Sequence, residues 1–349
     1  MKSRITIIGA GLSGLLTAYR LKAAGFSVQV LEARNRLGGR IHTLLSENET
    51  PVEMGATWFG PQHRNLIVLL EELELDSFTQ YTKGPIIYEA DDHTGPQVVQ
   101  LPESEPSFRI VGGSDRLINT LAAKFEENEV LLNQPVRHID FGERVVLKTD
   151  DRVIETDLVI STLPPALLVN NIQFNPSLPE NLIAVANETH TWMGDSIKAG
   201  VVYETPFWKE NKLSGTLFSN VGPLNEFYDH ANADNSKYAL CGFVGEGFAH
   251  LTPQLRREQV NTQLKKAFGL EGVNYLNYEE CVWSREEFTK HSNSVNLIPH
   301  QNAGNPIYQE TRFDDRLFVA GSETSGLYGG YMEGAVYSAL NVVEKITSS

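Results

Sequence analysis

The sequence predicts an α/β protein in which a Rossmann-like domain, with a parallel sheet and helices, is interleaved with a smaller α+β domain containing an antiparallel sheet. Three observations predict this. Residues 4–31 have the pattern of a strand, a glycine turn, a helix and a second strand. Residues 317–346 supply a short apolar strand and a closing helix, and strands of antiparallel character lie between these ends. The 349 residues allow one large or two medium domains.

The first elements form a βαβ unit. Ile5–Ile8 is a short apolar run of the kind that is buried in a parallel sheet. Leucines at helical spacing follow Gly11, and Gly25 predicts the end of that helix. Phe26–Leu31 predicts the second strand.

The middle of the chain alternates helices with short strands. Helices are predicted over Arg64–Leu75 and Asp115–Glu126, the second with Ser114 as its N-cap, and Asp91–Pro106 is predicted to be a loop. Short strands are predicted at Glu129–Leu132, Val136–Phe141, Arg144–Lys148, Val153–Thr156 and Leu158–Ser161.

The second half favours an antiparallel sheet followed by a return to the first domain. The sheet is predicted from Ile197–Tyr203, Gly215–Ser219 and Tyr238–Val244, and an amphipathic helix from Pro253–Phe268. Leu317–Ala320 and Met332–Ile346 predict the last strand and helix. We therefore expect one discontinuous domain from residues 1–80, 109–187 and 291–349, and a second from 81–108 and 188–290.

Composition narrows the function classes. The net charge of −15 argues against nucleic acid, which needs clustered cations. The two cysteines, Cys241 and Cys281, form no CxxC pair, so a reducing, cytoplasmic location is expected. No apolar run approaches the roughly 18 residues of a membrane span, so no membrane association is expected. The histidine spacing predicts no metal site.

The glycine turn predicts a dinucleotide site. In Gly9-x-Gly11-x-x-Gly14, the glycines permit the tight turn, the approach of a pyrophosphate and close packing of helix on strand. Glu32 ends the second strand, where a carboxylate can accept both ribose hydroxyls. These features suit NAD and FAD about equally. The run Arg34–Arg40, with Gly38-Gly39 between arginines, places cations beside the same pyrophosphate and favours FAD.

The segment Glu32-x-Arg34-x-Arg36-x-Gly38-Gly39-Arg40 resembles a signature of the flavin-containing amine oxidase family, which includes monoamine and polyamine oxidases. Further segments resemble that family in the same order along nearly the whole chain: Met54–Trp58, Val111–Ser114, Gln134–Ile139, Asp157–Pro165, Met193–Lys198, Pro206–Trp208, Trp283, Gly321–Thr324 and Gly330–Ala335.

The resemblance implies FAD as the cofactor. The residues it assigns to FAD binding are Gly9, Gly11, Leu12, Ser13, Gly14, Glu32, Ala33, Arg34, Gly38, Gly39, Arg40, Gly55, Ala56, Thr57, Trp58, Val136, Thr162, Trp283, Gly321, Ser322, Glu323, Tyr331, Met332 and Ala335.

The resemblance also implies catalytic roles for Lys198, Tyr331 and Trp283. Lys198 would hold a water at flavin N5 and help the reduced flavin react with O2. Tyr331 would form one wall of an aromatic cage, and Trp283 would pack beside the flavin. The implied reaction is hydride transfer from the carbon adjacent to an amine to flavin N5, hydrolysis of the imine, and reoxidation by O2 to hydrogen peroxide.

Two departures from the family bear on the substrate. Ser292 stands where some members attach flavin through cysteine, so FAD should be noncovalent, and Asn293 stands where many have the second cage tyrosine. Phe288 or Tyr328 could substitute for that tyrosine.

The chain is also short between Gly55 and Val111, as in a member lacking most of the family's helical insertion and keeping a fragment near Tyr81–Phe108. An open site, or one completed by a partner subunit in a homodimer, would follow. Two alternatives stay open: an FAD-dependent dehydrogenase or desaturase acting on a non-amine, and an FAD-bound interaction protein without turnover.

Overall fold

The computed structural model describes residues 3–102, 104–291 and 297–348. The described strands are β1 Arg4–Ile8, β2 Ser27–Leu31, β3 Thr43–Leu45, β4 Pro51–Glu53, β5 Ser77–Thr79, β6 Ile86–Glu89, β7 Gln97–Val99, β8 Phe108–Ile110, β9 Val130–Leu131, β10 His138–Phe141, β11 Val145–Lys148, β12 Val153–Thr156, β13 Leu158–Ser161, β14 Gln173–Asn175, β15 Ile197–Tyr203, β16 Leu217–Ser219, β17 Leu224–Asp229, β18 Tyr238–Val244, β19 Asn277–Val282 and β20 Leu317–Val319. The α-helices are α1 Leu12–Ala23, α2 Arg64–Glu72, α3 Asp115–Ala122, α4 Pro165–Asn171, α5 Glu180–Asn187, α6 Phe207–Glu210, α7 Pro253–Phe268 and α8 Met332–Thr347.

A five-stranded parallel sheet forms the centre of the α/β part of the fold, with its strands in the order β20-β13-β1-β2-β9. Its strands are apolar on both faces because both faces are covered. Ile5 and Ile7 pack towards α1, α2, α3 and α8. Ile8 and Val159 pack on the opposite side, against a four-stranded sheet of order β12-β11-β10-β14 and helices α4 and α5. The predicted parallel α/β domain is therefore confirmed.

The two ends of the chain meet at this parallel sheet and its helices. Strand β20 pairs with β13, and α8 packs along α1. The buried carboxylate of Glu333, in the first turn of α8, accepts hydrogen bonds from the backbone N–H groups of Asn65 (3.1 Å) and Leu66 (2.8 Å) at the start of α2. One side chain thus satisfies the free amides of one helix and fixes the start of another.

The second sheet has seven strands in the order β19-β15-β18-β17-β16-β6-β7. Its pairs are antiparallel apart from β16 and β6, and α7 covers one face through Val260, Leu264 and Phe268. The predicted antiparallel sheet is confirmed, and α7 matches its predicted bounds. Pro253 begins α7, and Gly269 follows it with φ of +72°, a conformation that suits glycine.

One local prediction is wrong, and one is confirmed only in its position. The stretch 91–106 contains β7, which pairs with β6 and extends the seven-stranded sheet, so the shortened segment 81–108 contributes a strand hairpin. Ser114 is the N-cap residue of α3, as predicted, but its side chain makes no capping hydrogen bond. The backbone N–H of Ser114 instead donates to the Glu53 carboxylate, and that of Asp115 to Thr43 Oγ1 at 3.1 Å, so side chains from β3 and β4 cap the helix.

Among the described residues, no helix is both long enough and apolar enough to cross a membrane.

Candidate active site

One open cavity, with about 1110 Å³ of empty space including its solvent-filled mouth, connects the beginnings of α1 and α8. It brings together residues that lie at opposite ends of the sequence. The predicted cofactor residues on its wall are Gly9, Gly11, Leu12, Ser13, Glu32, Ala33, Arg34, Gly38, Gly39, Arg40, Ala56, Val136, Thr162, Gly321, Ser322, Tyr331, Met332 and Ala335.

The glycine turn at one end of the cavity is packed tightly against neighbouring backbone atoms. Gly9 has φ of +104°, and a Cβ at Gly14 would lie 1.9 Å from the carbonyl oxygen of Gly9. Gly14 therefore packs helix on strand and does not line the cavity. Gly11 lines the cavity, and a Cβ there would lie 3.7 Å from the Gly38 carbonyl oxygen, an ordinary contact distance. The two glycines thus serve separate purposes, one in folding and one in leaving room for a ligand.

The N-terminus of α1 has free hydrogen-bond donors. Its N-cap Gly11 has no side chain, and no side chain caps the helix. The Ser13 hydroxyl is buried without a hydrogen-bond partner, although the residue lines the cavity. Buried polar groups are normally paired, and helix N-termini favour anions, so these groups fit a pyrophosphate.

Glu32 lies buried at the end of β2. Its Oε2 accepts the backbone N–H of Ala10 at 2.8 Å, and its Oε1 accepts that of Arg34 at 2.9 Å. Each carboxylate oxygen has a second lone pair, so both can also accept a ribose hydroxyl. The two amide bonds hold the carboxylate in place.

Arg40 is fixed by residues from the C-terminal part of the chain. Its guanidinium forms a bidentate pair with the buried Glu323 carboxylate, with Nη2 to Oε2 at 2.7 Å, and Nη2 also donates to Ser322 Oγ at 2.9 Å. Burial would raise the pKa of Glu323, but the Arg40 charge and hydrogen bonds outweigh it and hold that pKa below its usual value. Glu323 does not line the cavity; it orients Arg40, which does.

The other end of the cavity is the N-terminus of α8. Tyr331 is its N-cap residue in an extended conformation, and no side chain caps the helix. The Tyr331 ring stacks on His300, with centroids 5.7 Å apart and an interplanar angle of 8°, and on Trp192 at 6.0 Å. Free amides and an aromatic wall therefore meet at this end.

Lys198 lies on β15, the second strand from one edge of the seven-stranded sheet, and is fully buried. Its Nζ donates to the Gly55 carbonyl oxygen at 3.0 Å and to Thr57 Oγ1 at 2.7 Å, and it lies 4.4 Å from the centre of the Trp58 ring. Burial lowers the pKa of Lys198, opposed by the nearby Cys241 and carboxylates. The ammonium contacts the strip Gly55–Trp58, behind the cavity wall at Ala56.

Trp283 is also behind this strip. It is fully buried, and its Nε1 donates to the Met54 carbonyl oxygen at 2.7 Å. The structure thus places Gly14, Gly55, Thr57, Trp58, Lys198, Trp283 and Glu323 around the cavity rather than on its surface.

Several lining residues were not predicted to bind the cofactor. Gln134, Pro135 and Arg137 flank Val136, and their position beside it was the available signal. Phe288 and Thr289 also line the wall; Thr289 Oγ1 accepts from Arg34 Nη2 at 2.7 Å. No motif marks these two residues.

The structure describes only some of the positions at which this chain departs from the flavin-containing amine oxidase pattern. Ser292 and Asn293 lie outside the described residues. Of the two suggested substitutes for the missing tyrosine, Phe288 lines the cavity, whereas Tyr328 packs edge-on against His63 with ring centres 4.8 Å apart.

Comparisons with known proteins identify the family. A family model described as flavin containing amine oxidoreductase matches residues 12–103 and 88–347. A probable flavin-containing monoamine oxidase A of Dictyostelium discoideum is 24% identical, covering 98% of this chain and 97% of its own length. Flavin-containing amine oxidase B of Homo sapiens is 25% identical, and the match covers 99% of this chain and 86% of that protein. Putrescine oxidase of Kocuria rosea is 26% identical, and the match covers 82% of this chain and 83% of that protein.

Solved structures share the fold. The structure of putrescine oxidase bound to putrescine superposes with a TM-score of 0.86 at 22% sequence identity, and the match covers 100% of both chains. Cyclohexylamine oxidase from Brevibacterium oxydans has the same TM-score at 20% identity, covering 100% of this chain and 99% of its own.

Proposed function

The chain belongs to the flavin-containing amine oxidoreductases, and on that basis we propose that, with FAD bound, it oxidises an amine and passes the electrons to O2. One observation carries the proposal: a single cavity joins two uncapped helix N-termini, the Glu32 carboxylate and the Tyr331 ring. Its lining residues and its hydrogen-bond donors suit a dinucleotide with a ring system at the α8 end.

The flavin, when bound, supplies the acceptor for a hydride from the carbon next to an amine nitrogen and returns the electrons to O2 as hydrogen peroxide. The protein provides binding, orientation and charge. The α1 amides and Ser13 Oγ would hold the pyrophosphate, and Glu32 the ribose. Arg40, oriented by Glu323, would add a cation at the same phosphates. FAD binding through these groups needs no covalent bond.

The α8 N-terminus and Lys198 would act at the ring end. The amides after Tyr331 favour negative charge in the bound ring system. Lys198 Nζ donates to two oxygen acceptors beside Ala56, and an ammonium group there would stabilise negative charge passing to O2. Tyr331, backed by His300 and Trp192, gives the substrate amine an aromatic wall.

The parallel sheet and the seven-stranded sheet suggest which part of the chain binds FAD and which part faces the substrate. We assign residues 1–80, 109–187 and 291–349 to FAD binding, and 81–108 and 188–290, which include the strands of the seven-stranded sheet, to the substrate side. A homodimer completing the open side is part of this proposal, and sedimentation of the loaded protein measures it.

The experiment is a peroxide-coupled screen of the FAD-loaded protein with primary and secondary amines. We expect hydrogen peroxide to form with at least one amine class, at a rate that depends on amine concentration. A flavin-loaded protein that oxidises no amine would refute the reaction, and a protein that cannot be loaded with FAD would refute the site.

A further inference from the structure

A short segment that follows β19 forms one wall of the cofactor cavity. Residues 284–290, called the strap below, continue from the 3-10 turn Trp283–Arg285 into irregular turns. On the inner side of the strap, Phe288 and Thr289 line the cavity. On its outer side, the strap lines a second, open groove through Ser284, Arg285, Glu286, Glu287 and Lys290. The strap therefore lies between the cofactor cavity and this outer groove.

The groove and the cavity adjoin each other at the strap. Three residues line both spaces: Arg137, Leu167 and Asn171. Arg137 directly precedes β10, and the other two belong to α4, so this opening faces the strap from the α/β part of the fold. A ligand that reaches the cavity from the groove must pass between α4 and the strap.

One arginine fastens the middle of the strap. Arg34 Nη2 donates to Thr289 Oγ1 at 2.7 Å, and Arg34 Nε lies 3.4 Å from Glu286 Oε2. The guanidinium carbon also lies 5.7 Å from the centre of the Phe288 ring. These three contacts are called the clasp below. The backbone N–H of Arg34 donates to Glu32 Oε1, so the clasp connects the strap to the loop that orients the expected ribose carboxylate.

The strap is anchored at both ends on the side of the seven-stranded sheet. Trp283 is fully buried at its start, and the Lys290 ammonium at its end pairs with Asp195, close to the start of β15. Two backbone hydrogen bonds fold the strap on itself, from Glu286 N–H to the Trp283 carbonyl oxygen (3.1 Å) and from Thr289 N–H to the Glu286 carbonyl oxygen (2.9 Å). A turn with fixed ends and local backbone bonds opens at a low cost in free energy. The clasp is what holds its middle against the cavity.

We propose that the strap is a gate for FAD and that the clasp sets the rates at which the cofactor enters and leaves. The strap swings away from Arg34 to admit the ADP half of FAD and closes again over it. Arg34 thus acts on its protein neighbours and not on a phosphate. Because the clasp joins protein groups only, weakening it favours the open form with and without FAD. This inference rests on the FAD-binding part of the proposed function and is independent of the amine.

The test measures FAD entry by stopped-flow fluorescence and FAD release by the fluorescence of the freed cofactor. Thr289→Val keeps the shape of the buried side chain but removes the acceptor of the Arg34 hydrogen bond. We expect both rates to rise by about 10- to 100-fold, the range for one hydrogen bond to a charged group, while the dissociation constant stays within about threefold of wild type.

Glu286→Gln should act in the same direction but less strongly. Its ion pair with Arg34 is partly exposed, so we expect both rates to rise by about 2- to 5-fold. The matched control is Glu287→Gln, the same charge change on the next, exposed residue of the strap and outside the clasp. It should leave both rates at their wild-type values.

Amide hydrogen exchange of the strap gives a readout that needs neither FAD nor activity. The opening that admits FAD is the opening that exposes the strap amides, so both rates follow the same open population. In the FAD-free Thr289→Val protein, exchange of a peptide covering residues 284–290 should therefore accelerate by the same factor as FAD entry.

The outcomes separate this inference from the proposed function. Faster FAD release with unchanged entry in Thr289→Val would show that Thr289 helps to hold FAD directly, and it would overturn the gate. Wild-type rates and wild-type strap exchange in Thr289→Val would also overturn it. A protein that cannot be loaded with FAD would overturn the site and the gate together. A loaded protein that oxidises no amine would overturn the reaction, while the two FAD rates would still decide the gate.

Discussion

Two glycines in the same turn should separate folding from cofactor binding. In Gly14→Ala, the new Cβ would lie 1.9 Å from the oxygen and 3.1 Å from the carbon of the Gly9 carbonyl. Both are backbone atoms, so the turn itself must move. Overpacking costs about 1–3 kcal/mol when side chains can adjust. We therefore expect Gly14→Ala to lose at least about 3 kcal/mol of unfolding free energy, a large part of the 5–15 kcal/mol that is typical of folded proteins.

Gly11→Ala should leave the fold intact and weaken FAD binding. Gly11 has φ of −79° and ψ of −178°, which alanine adopts freely, and its new Cβ would have its nearest neighbour at 3.7 Å. The N-cap preference for glycine over alanine costs about 1 kcal/mol or less. The methyl group would nevertheless occupy the cavity over the α1 amides. Displacing one phosphate hydrogen bond should raise the FAD dissociation constant by about 10- to 100-fold.

Denaturant unfolding of both apo variants and fluorescence titration with FAD measure these effects. The expected result is a folded Gly11→Ala protein with weak FAD binding, and a destabilised Gly14→Ala protein. If Gly11→Ala bound FAD with wild-type affinity, the phosphates of FAD would not lie at Gly11. If Gly14→Ala had wild-type stability, the described packing of the turn would be refuted.

Three further predictions follow from buried charges. Lys198→Met should slow reoxidation of the reduced flavin by O2 by about 100-fold in stopped-flow measurements, with little effect on anaerobic reduction by amine; equal loss in both would contradict a role at the oxygen step. Burial raises the pKa of Glu53 from 4.5 to about 7, so the folded state keeps a proton that the unfolded chain releases, and this group makes the unfolding free energy fall as pH rises through that window. Glu53→Gln should lack that fall, which amounts to about 3 kcal/mol between pH 4.5 and about 7, whereas parallel pH profiles would contradict the assignment. Glu323→Gln leaves the Arg40 guanidinium without its charge partner and should cost about 3 kcal/mol of unfolding free energy and weaken FAD binding; an unchanged FAD affinity would show that Arg40 needs no such support.

Local sequence was sufficient where an element is defined by its own residues. The unit β1-α1-β2 follows from an apolar run, a glycine turn and a stop at Gly25, and α7 from its proline start and glycine end. Strand β7 was missed because it is a mostly exposed edge strand without an apolar face. Ser114 was placed correctly as the N-cap of α3, but the contact of its backbone N–H with the distant Glu53 side chain could not be predicted from local sequence.

The site was predictable as a set of motifs but not as a surface. Glu32, Arg40 and Tyr331 were named from sequence, and the structure places them on one cavity. That Glu323 acts through Arg40, and that Lys198 lies behind Ala56, depends on tertiary packing.

Anaerobic titration of the FAD-loaded wild-type protein with primary and secondary amines tests the central claim most directly. The account predicts that with at least one of them the oxidised-flavin absorbance bleaches in proportion to the amine added, and that admitting O2 restores it with stoichiometric release of hydrogen peroxide. A protein that holds FAD in this cavity, yet keeps its oxidised spectrum with every amine tried, would contradict it.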